Sequence, residues 1–152
     1  MDVSASLARL HEHQDRILTI LDRATNLIHG DPDRNRAGLA TSRWEMARRL
    51  REYQLFKHRE LFDPMIAGGD PDQRRRARLM KADCILLSED FQTHVARWSG
   101  VDVADDWITY RRAMLAITTR LRGAVMRERH EFSQTLRMAP GPVSPTRITV
   151  TG

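Results

Sequence analysis

The stretch that decides the fold is residues 4–33, SASLARLHEHQDRILTILDRATNLIHGDPD. Leucine, isoleucine and alanine recur in it at steps of three and four residues, the spacing of one face of an α-helix. The positions on this face are Leu7, Leu10, Gln14, Ile17, Leu21, Ala24 and Ile28. The run GDPD at residues 30–33 then breaks the pattern. We therefore predict a first helix over about residues 4–29.

Three further stretches show the same spacing. Thr41 or Ser42 is a candidate N-cap of a second helix, which continues until the run GGDP at residues 68–71. A third helix is predicted over about residues 72–100 and a fourth over about residues 102–138. Because the connections are short, each helix can bury its apolar face only against the others. The sequence thus predicts an all-α fold, an antiparallel up-down four-helix bundle.

The domain organisation follows from length and composition. The chain has 152 residues, enough for one core without disulfides or a structural metal. We expect residues 1–138 to form the bundle. Residues 139–152 are rich in Pro, Gly, Ser and Thr, and we expect them to form a flexible C-terminal tail.

Composition also limits the partners and the compartment. Cys84 is the only cysteine, and no stretch is long and apolar enough to span a membrane, so we expect a soluble, cytoplasmic protein without membrane partners. The formal net charge is +5, but the cations are scattered among 20 acidic residues. The one basic cluster comprises Arg74, Arg75, Arg76 and Arg78. A charge run of this kind is usually a solvated surface, so nucleic acid is not the expected partner.

Polar residues at core-facing positions are the candidates for function, because a buried polar group needs a partner. The helical rise places five of them at one height of an antiparallel bundle. They are Gln14, Tyr53, Lys57, Asp83 and Glu128. We therefore predict a central polar layer formed by these side chains.

Two segments resemble a known metal-binding motif. In the hemerythrin-like family, two helices carry a histidine, a glutamate four residues later, an adjacent acid, and then Leu-Phe/Tyr-Pro. The segment YQLFKHRELFDP at residues 53–64 is similar to this motif, with one residue inserted before Pro64. The segment AVMRERHEF at residues 124–132 is similar too, and the stretch that begins at Gln14 resembles the family's first helix.

The resemblance implies a hemerythrin-like bundle whose di-iron ligands have largely been replaced. Gln14, Tyr53 and Ala124 take histidine positions, Lys57 takes a bridging glutamate position, and Glu128 is retained. An ammonium group has no lone pair for a metal, and alanine offers no ligand. We expect no cofactor, and we expect Lys57 to supply the central positive charge in place of iron.

The functional prediction is a non-enzymatic regulatory module that binds a small ligand or a protein partner, or that acts as a homo-oligomer. The alternative is an atypical iron protein that senses or carries oxygen or nitric oxide. Its ligands would come from His11, His58, Glu60, Glu128 and His130. Cys84 is expected to be a core thiol, because no histidine stands at a helical spacing that would activate it. Without a phosphate loop or a nucleophile motif, catalysis is not expected.

Overall fold

The computed structural model describes residues 2–138, and these residues are helical almost throughout. The elements are α1 Val3–Ile28, α2 Pro32–Phe56, a π-helical segment Lys57–Phe62, α3 Asp63–Gly68, α4 Pro71–Trp98, a 3-10 turn Val103–Asp106 and α5 Trp107–Met138. Within the described range there is no β-strand, so the predicted all-α class is confirmed there. None of the helices in residues 2–138 is long and apolar enough to cross a membrane. The predicted tail, residues 139–152, lies outside the described residues.

The second helix begins ten residues earlier than the sequence analysis predicted. Asp31 is its N-cap and accepts a hydrogen bond from the backbone N–H of Arg34 at 2.9 Å, while Pro32 occupies the first turn. Thr41 and Ser42 are therefore not caps but lie inside α2, and Ser42 is buried. Asp31 and Pro32 follow the end of α1 and start α2. Proline is well suited to the first turn of a helix.

The chain leaves α2 through a π-helical segment rather than continuing as one α-helix. Lys57–Phe62 adopts the wider π turn and is followed directly by α3. A π segment accommodates one residue more than an α-helix does over the same path, and such segments are frequent at functional sites. Lys57 is the first residue of this segment.

All four long helices contribute to one apolar core. From α1 it takes Leu10, Ile17 and Leu21; from α2, Met46 and Leu50; from α4, Cys84 and Phe91; from α5, Ile117, Leu121, Val125 and Phe132. A second cluster joins the end of α1 to the start of α5, and it contains Ile28, Leu39, Trp98, Tyr110 and Met114.

Helix α4 is the least buried of the long helices that this core joins. Of its 28 residues only Ala77, Cys84, Phe91 and Trp98 are buried, one in every seven. The larger part of its surface is open, and Leu79 and Leu86 are 62% and 60% exposed. Helix α4 therefore contacts the rest of the molecule along only a narrow strip of its surface, and space remains beside it.

Candidate functional site: a buried ion pair at the floor of a cleft

The centre of the site is an ion pair between Lys57 and Glu128. The Lys57 ammonium donates to Oε2 of Glu128 at 2.6 Å, and the two side chains are only 4% and 13% exposed. The π segment carries the lysine and α5 carries the glutamate. Each group satisfies the charge of the other, which is what permits both to be buried.

A hydrogen-bonded chain extends from this pair through Tyr53 to Gln14. The Tyr53 hydroxyl donates to Oε1 of Glu128 at 3.1 Å and accepts from Nε2 of Gln14 at 2.9 Å. Burial, and then the neighbouring Glu128 carboxylate, raise the pKa of Tyr53 well above its ordinary value. The phenol therefore stays protonated and acts as the donor to Glu128.

Gln14 uses its whole amide group in this network. Its Nε2 also donates to the backbone carbonyl of Val125 at 3.2 Å, and its Oε1 accepts from Nε of Arg129 at 2.9 Å. Arg129 in turn donates to Asp15 at 2.7 Å and so carries the network to the surface. The sequence analysis does not predict Arg129 as a member of this network, because neighbouring residues on a helix point about 100° apart and only Glu128 was placed at a core-facing position.

Aromatic rings surround the ammonium group on its other sides. Nζ of Lys57 lies 4.1 Å from the centroid of the Tyr53 ring and 5.9 Å from that of Phe62. A cation over an aromatic face is attracted by the ring quadrupole. Tyr53 thus stabilises the buried lysine twice, through its ring and through the carboxylate that its hydroxyl orients.

The structure does not bring Asp83 into this network. Its side chain is exposed, and no hydrogen bond within residues 2–138 joins it to Lys57. The next residue, Cys84, faces inward instead and is 7% exposed. Successive residues on a helix point about 100° apart, so a difference of one position exchanges the surface for the core.

Cys84 has a histidine neighbour from another element, which the residue spacing within its own helix could not predict. Nε2 of His58, in the π segment, lies 4.0 Å from the Cys84 sulfur. Burial nevertheless raises the pKa of the thiol, the nearby Lys57 opposing this only in part. Cys84 is therefore held as a thiol rather than as a reactive thiolate.

An open cleft lies over the ion pair, between α4 and α5, with α2 as its floor. Its volume is about 760 Å³, and Lys57, Glu128, Asp83 and Ala124 all line it. The walls are mainly apolar and include Leu50, Leu79, Met80, Leu86, Leu87, Phe91 and Leu121. The small side chain of Ala124 leaves part of the cleft volume unfilled. Because α4 contacts the other helices along only a narrow strip, the cleft beside it is open to solvent.

The side chains at the positions that the resemblance would assign to metal ligands do not fit a pair of irons. Glu128 is the one carboxylate among them, and both of its oxygens are already engaged by Tyr53 and Lys57. Gln14 likewise uses its amide oxygen to accept from Arg129. A lysine ammonium at the centre repels a metal cation rather than binding it.

The alternative ligand set is not gathered into one place. Glu60 pairs with Arg9 at 3.4 Å, His130 is exposed, and His58 packs edge-on against Phe62. His11 has its Nε2 buried without a hydrogen-bond partner. Within residues 2–138, no three or more His, Cys, Asp or Glu side chains are arranged to hold a metal ion.

The basic cluster at the start of α4 is partly neutralised by its own helix. Arg75 and Arg76 both pair with Asp72, at 2.7 and 3.0 Å. Arg78 is exposed and Arg74 is half-buried. Local i,i+3 and i,i+4 pairs of this kind are a common way to stabilise the first turns of a helix.

Comparisons with known proteins give no match: no protein-family model, no curated protein and no solved structure is significantly similar to this chain.

Proposed function

We propose that this protein is an antiparallel up-down four-helix bundle of the hemerythrin-like type in which Lys57 has replaced the metal. In this proposal the bundle acts without catalysis, as a regulatory module that binds a small amphipathic molecule in the cleft between α4 and α5. The observation that carries it is the buried Lys57–Glu128 pair at the floor of an apolar cleft.

The order of the contacts between helices supports the antiparallel arrangement. Contacts between α1 and α5 run in opposite chain order, from Gln14 with Arg129, through Asp22 with Arg122, to His29 with Arg111. The same reversal holds between α1 and the path of α2 and the π segment, where Arg23 meets Glu45 of α2 and Arg9 meets Glu60 of the π segment. Contacts between α4 and α5 are reversed as well, with Gln73 near Thr135 and Asp90 near Arg120.

The position of the π segment supports the resemblance to the hemerythrin-like motif. That motif matches residues 53–64 only if one residue is inserted before Pro64. The π segment Lys57–Phe62 occupies this part of the chain. Insertion of one residue into a helix is commonly absorbed as a π-bulge, so the irregularity in sequence and the irregularity in structure have one explanation.

The chemistry of the cleft indicates the class of ligand. A volume of about 760 Å³ is in the range of pockets that hold small organic molecules. Leucine, methionine and phenylalanine side chains suit an apolar body, while the Lys57–Glu128 pair gives one end of the cleft a polar surface. A molecule with an apolar body and a polar head group complements this distribution.

The cleft can be tested with the fluorescent probe 1-anilinonaphthalene-8-sulfonate, which is apolar and carries a sulfonate. We expect saturable binding of one probe per folded chain. Ala124→Trp would fill the cleft and weaken this binding at least about tenfold, since bulk replaces the space for the ligand. Ala116→Trp, on an exposed position of α5, is the matched control and should bind as the parent does. Equal binding by both variants would exclude the cleft as the site.

The loss of the metal has its own test. Protein produced in iron-supplemented medium should contain far less than one iron per chain and show no visible absorption from an iron centre. About two irons per chain would refute the replacement of the metal by Lys57 and would favour the oxygen- or nitric oxide-sensing alternative.

A further inference from the structure

A second buried cation lies away from the cleft, and it has no carboxylate partner in the part of the chain that the structure describes. Arg43, in α2, is 7% exposed. It forms no ion pair with any carboxylate of residues 2–138. Among the described residues, its side chain makes one hydrogen bond, from Nη1 to the Tyr110 hydroxyl at 3.2 Å, and its Nε is buried there without a partner.

The surroundings of Arg43 do not neutralise its charge. The guanidinium carbon lies 5.8 Å from the centroid of the Tyr110 ring, which provides a weak cation–π attraction. His94, stacked between Phe91 and Tyr110, is uncharged at neutral pH, since burial and then Arg43 lower its pKa to about 4. A buried guanidinium without a counterion is costly, because desolvation removes the water that stabilised its charge.

Arg43 lines a small cavity. Its volume is about 40 Å³, and its polar lining consists of Arg43, Ser42, His94, Tyr110 and Thr118. The remaining lining is aliphatic or aromatic. A space of this size holds one or two water-sized particles and is far too small for a nucleotide or an organic acid with a long chain.

We propose that this cavity is a binding site for a small monovalent inorganic anion, of the size of chloride, bromide or nitrite, with Arg43 as the charged ligand. The Nε–H of Arg43 has no partner within residues 2–138, and the hydroxyl of Ser42 is a further candidate donor at the cavity wall, while the hydroxyl of Thr118 makes a long contact of 3.8 Å to the Met114 sulfur. The bound anion would supply the negative charge that no carboxylate of the described residues supplies to Arg43. This site is separate from the cleft, and it stands whether or not the cleft binds a ligand.

Thermal unfolding of the full chain tests the proposal, with sodium bromide compared against sodium gluconate at equal concentration. Gluconate is too large for the cavity and controls for ionic strength. We expect bromide to raise the melting temperature in a saturable manner, by roughly 5–10 °C at 100 mM if the dissociation constant is near 1 mM. Arg43→Met should abolish the difference between the two salts. Arg48→Met, on an exposed position of the same helix, should retain it.

A direct measurement keeps the proposal open to refutation if Arg43→Met does not fold. Crystals of the unaltered protein grown or soaked in bromide should show an anomalous scattering peak within hydrogen-bonding reach of the Arg43 guanidinium. Absence of that peak, or an equal stabilisation by bromide and gluconate, would overturn the proposed site. A bromide effect that persists in Arg43→Met would overturn it as well.

Discussion

The molecule contains two buried cations, Lys57 and Arg43, and their surroundings differ in whether they neutralise the charge. Lys57 and Arg43 are 3% and 7% exposed, so both are removed from water to a similar degree. Lys57 has a carboxylate at 2.6 Å, and that carboxylate is in turn held by a tyrosine. Arg43 has one phenol hydroxyl and an adjoining cavity. A charge neutralised internally needs no counter-charge from the solution, whereas a charge left unpaired makes stability depend on what the solution supplies.

The largest expected effect comes from removing the carboxylate that pairs with Lys57. Glu128→Leu would leave a buried ammonium without a counter-charge, and we expect a loss of about 3–5 kcal/mol in the free energy of unfolding. The double variant Lys57→Met with Glu128→Leu should recover most of that loss, since two apolar side chains need no partner. Urea denaturation measures both variants.

An exposed ion pair provides the control for this experiment. Asp22 pairs with Arg122 at 2.8 Å, and their side chains are 65% and 39% exposed. Asp22→Leu should change the free energy of unfolding by less than about 1 kcal/mol. A loss of that small size in Glu128→Leu would mean that the buried pair contributes no more than a surface pair does.

The two tyrosines that contact the cations allow a finer comparison. Tyr53→Phe removes a donor from Glu128 and an acceptor from Gln14, and we expect a loss of about 2 kcal/mol. Tyr110→Phe removes only the acceptor of Arg43, for about 1 kcal/mol. Equal losses in urea denaturation would show that the two networks are equally dependent on their phenols.

The smallest expected effect is a pH dependence that arises beside Arg43. The pKa of His94 is about 4 in the folded chain, below the ordinary value of 6.5, so the unfolded chain binds the additional proton between these two values. Stability should therefore fall as the pH is lowered from 6.5 to 4, by about 1–2 kcal/mol after allowance for solvent screening of a partly exposed ring.

His94→Gln should reduce this pH dependence, and His130→Gln, at an exposed position, should leave it unchanged. Urea denaturation between pH 4 and pH 7 compares the three proteins. An identical slope in His94→Gln would assign the pH dependence to other groups.

The helical part of the fold was largely predictable, because regular apolar spacing decides it. The structure begins and ends α1 within one residue of the predicted range. The start of α2 was not predicted, because residues 32–38 are polar and small and show no apolar face. Asp31 and Pro32 form an N-cap and first turn, but in the sequence the same residues are equally typical of the break that ends α1.

Because the start of α2 was not predicted, the burial of the second cation, Arg43, was not predicted either. Arg43 lies one residue beyond the predicted cap at Ser42, where no helical face could be assigned, so its burial had no signal in the sequence. Gln14, Tyr53, Lys57 and Glu128 could be placed at one height because helical rise fixes height along an axis. Asp83 shares that height but not that face, and rotation about the axis is sensitive to a single residue of register.

The π-helical turn also has a consequence for how the length of this chain can vary. A helix that holds one surplus residue in a wide turn can give that residue up by closing to an ordinary α turn. Arg59 lies within the turn and is exposed, so its deletion removes no core contact. The segments before and after the turn would keep their own registers, with Tyr53 on one side and Met65 on the other. Relatives of this chain that are one amino acid shorter at this point could therefore retain the same buried faces.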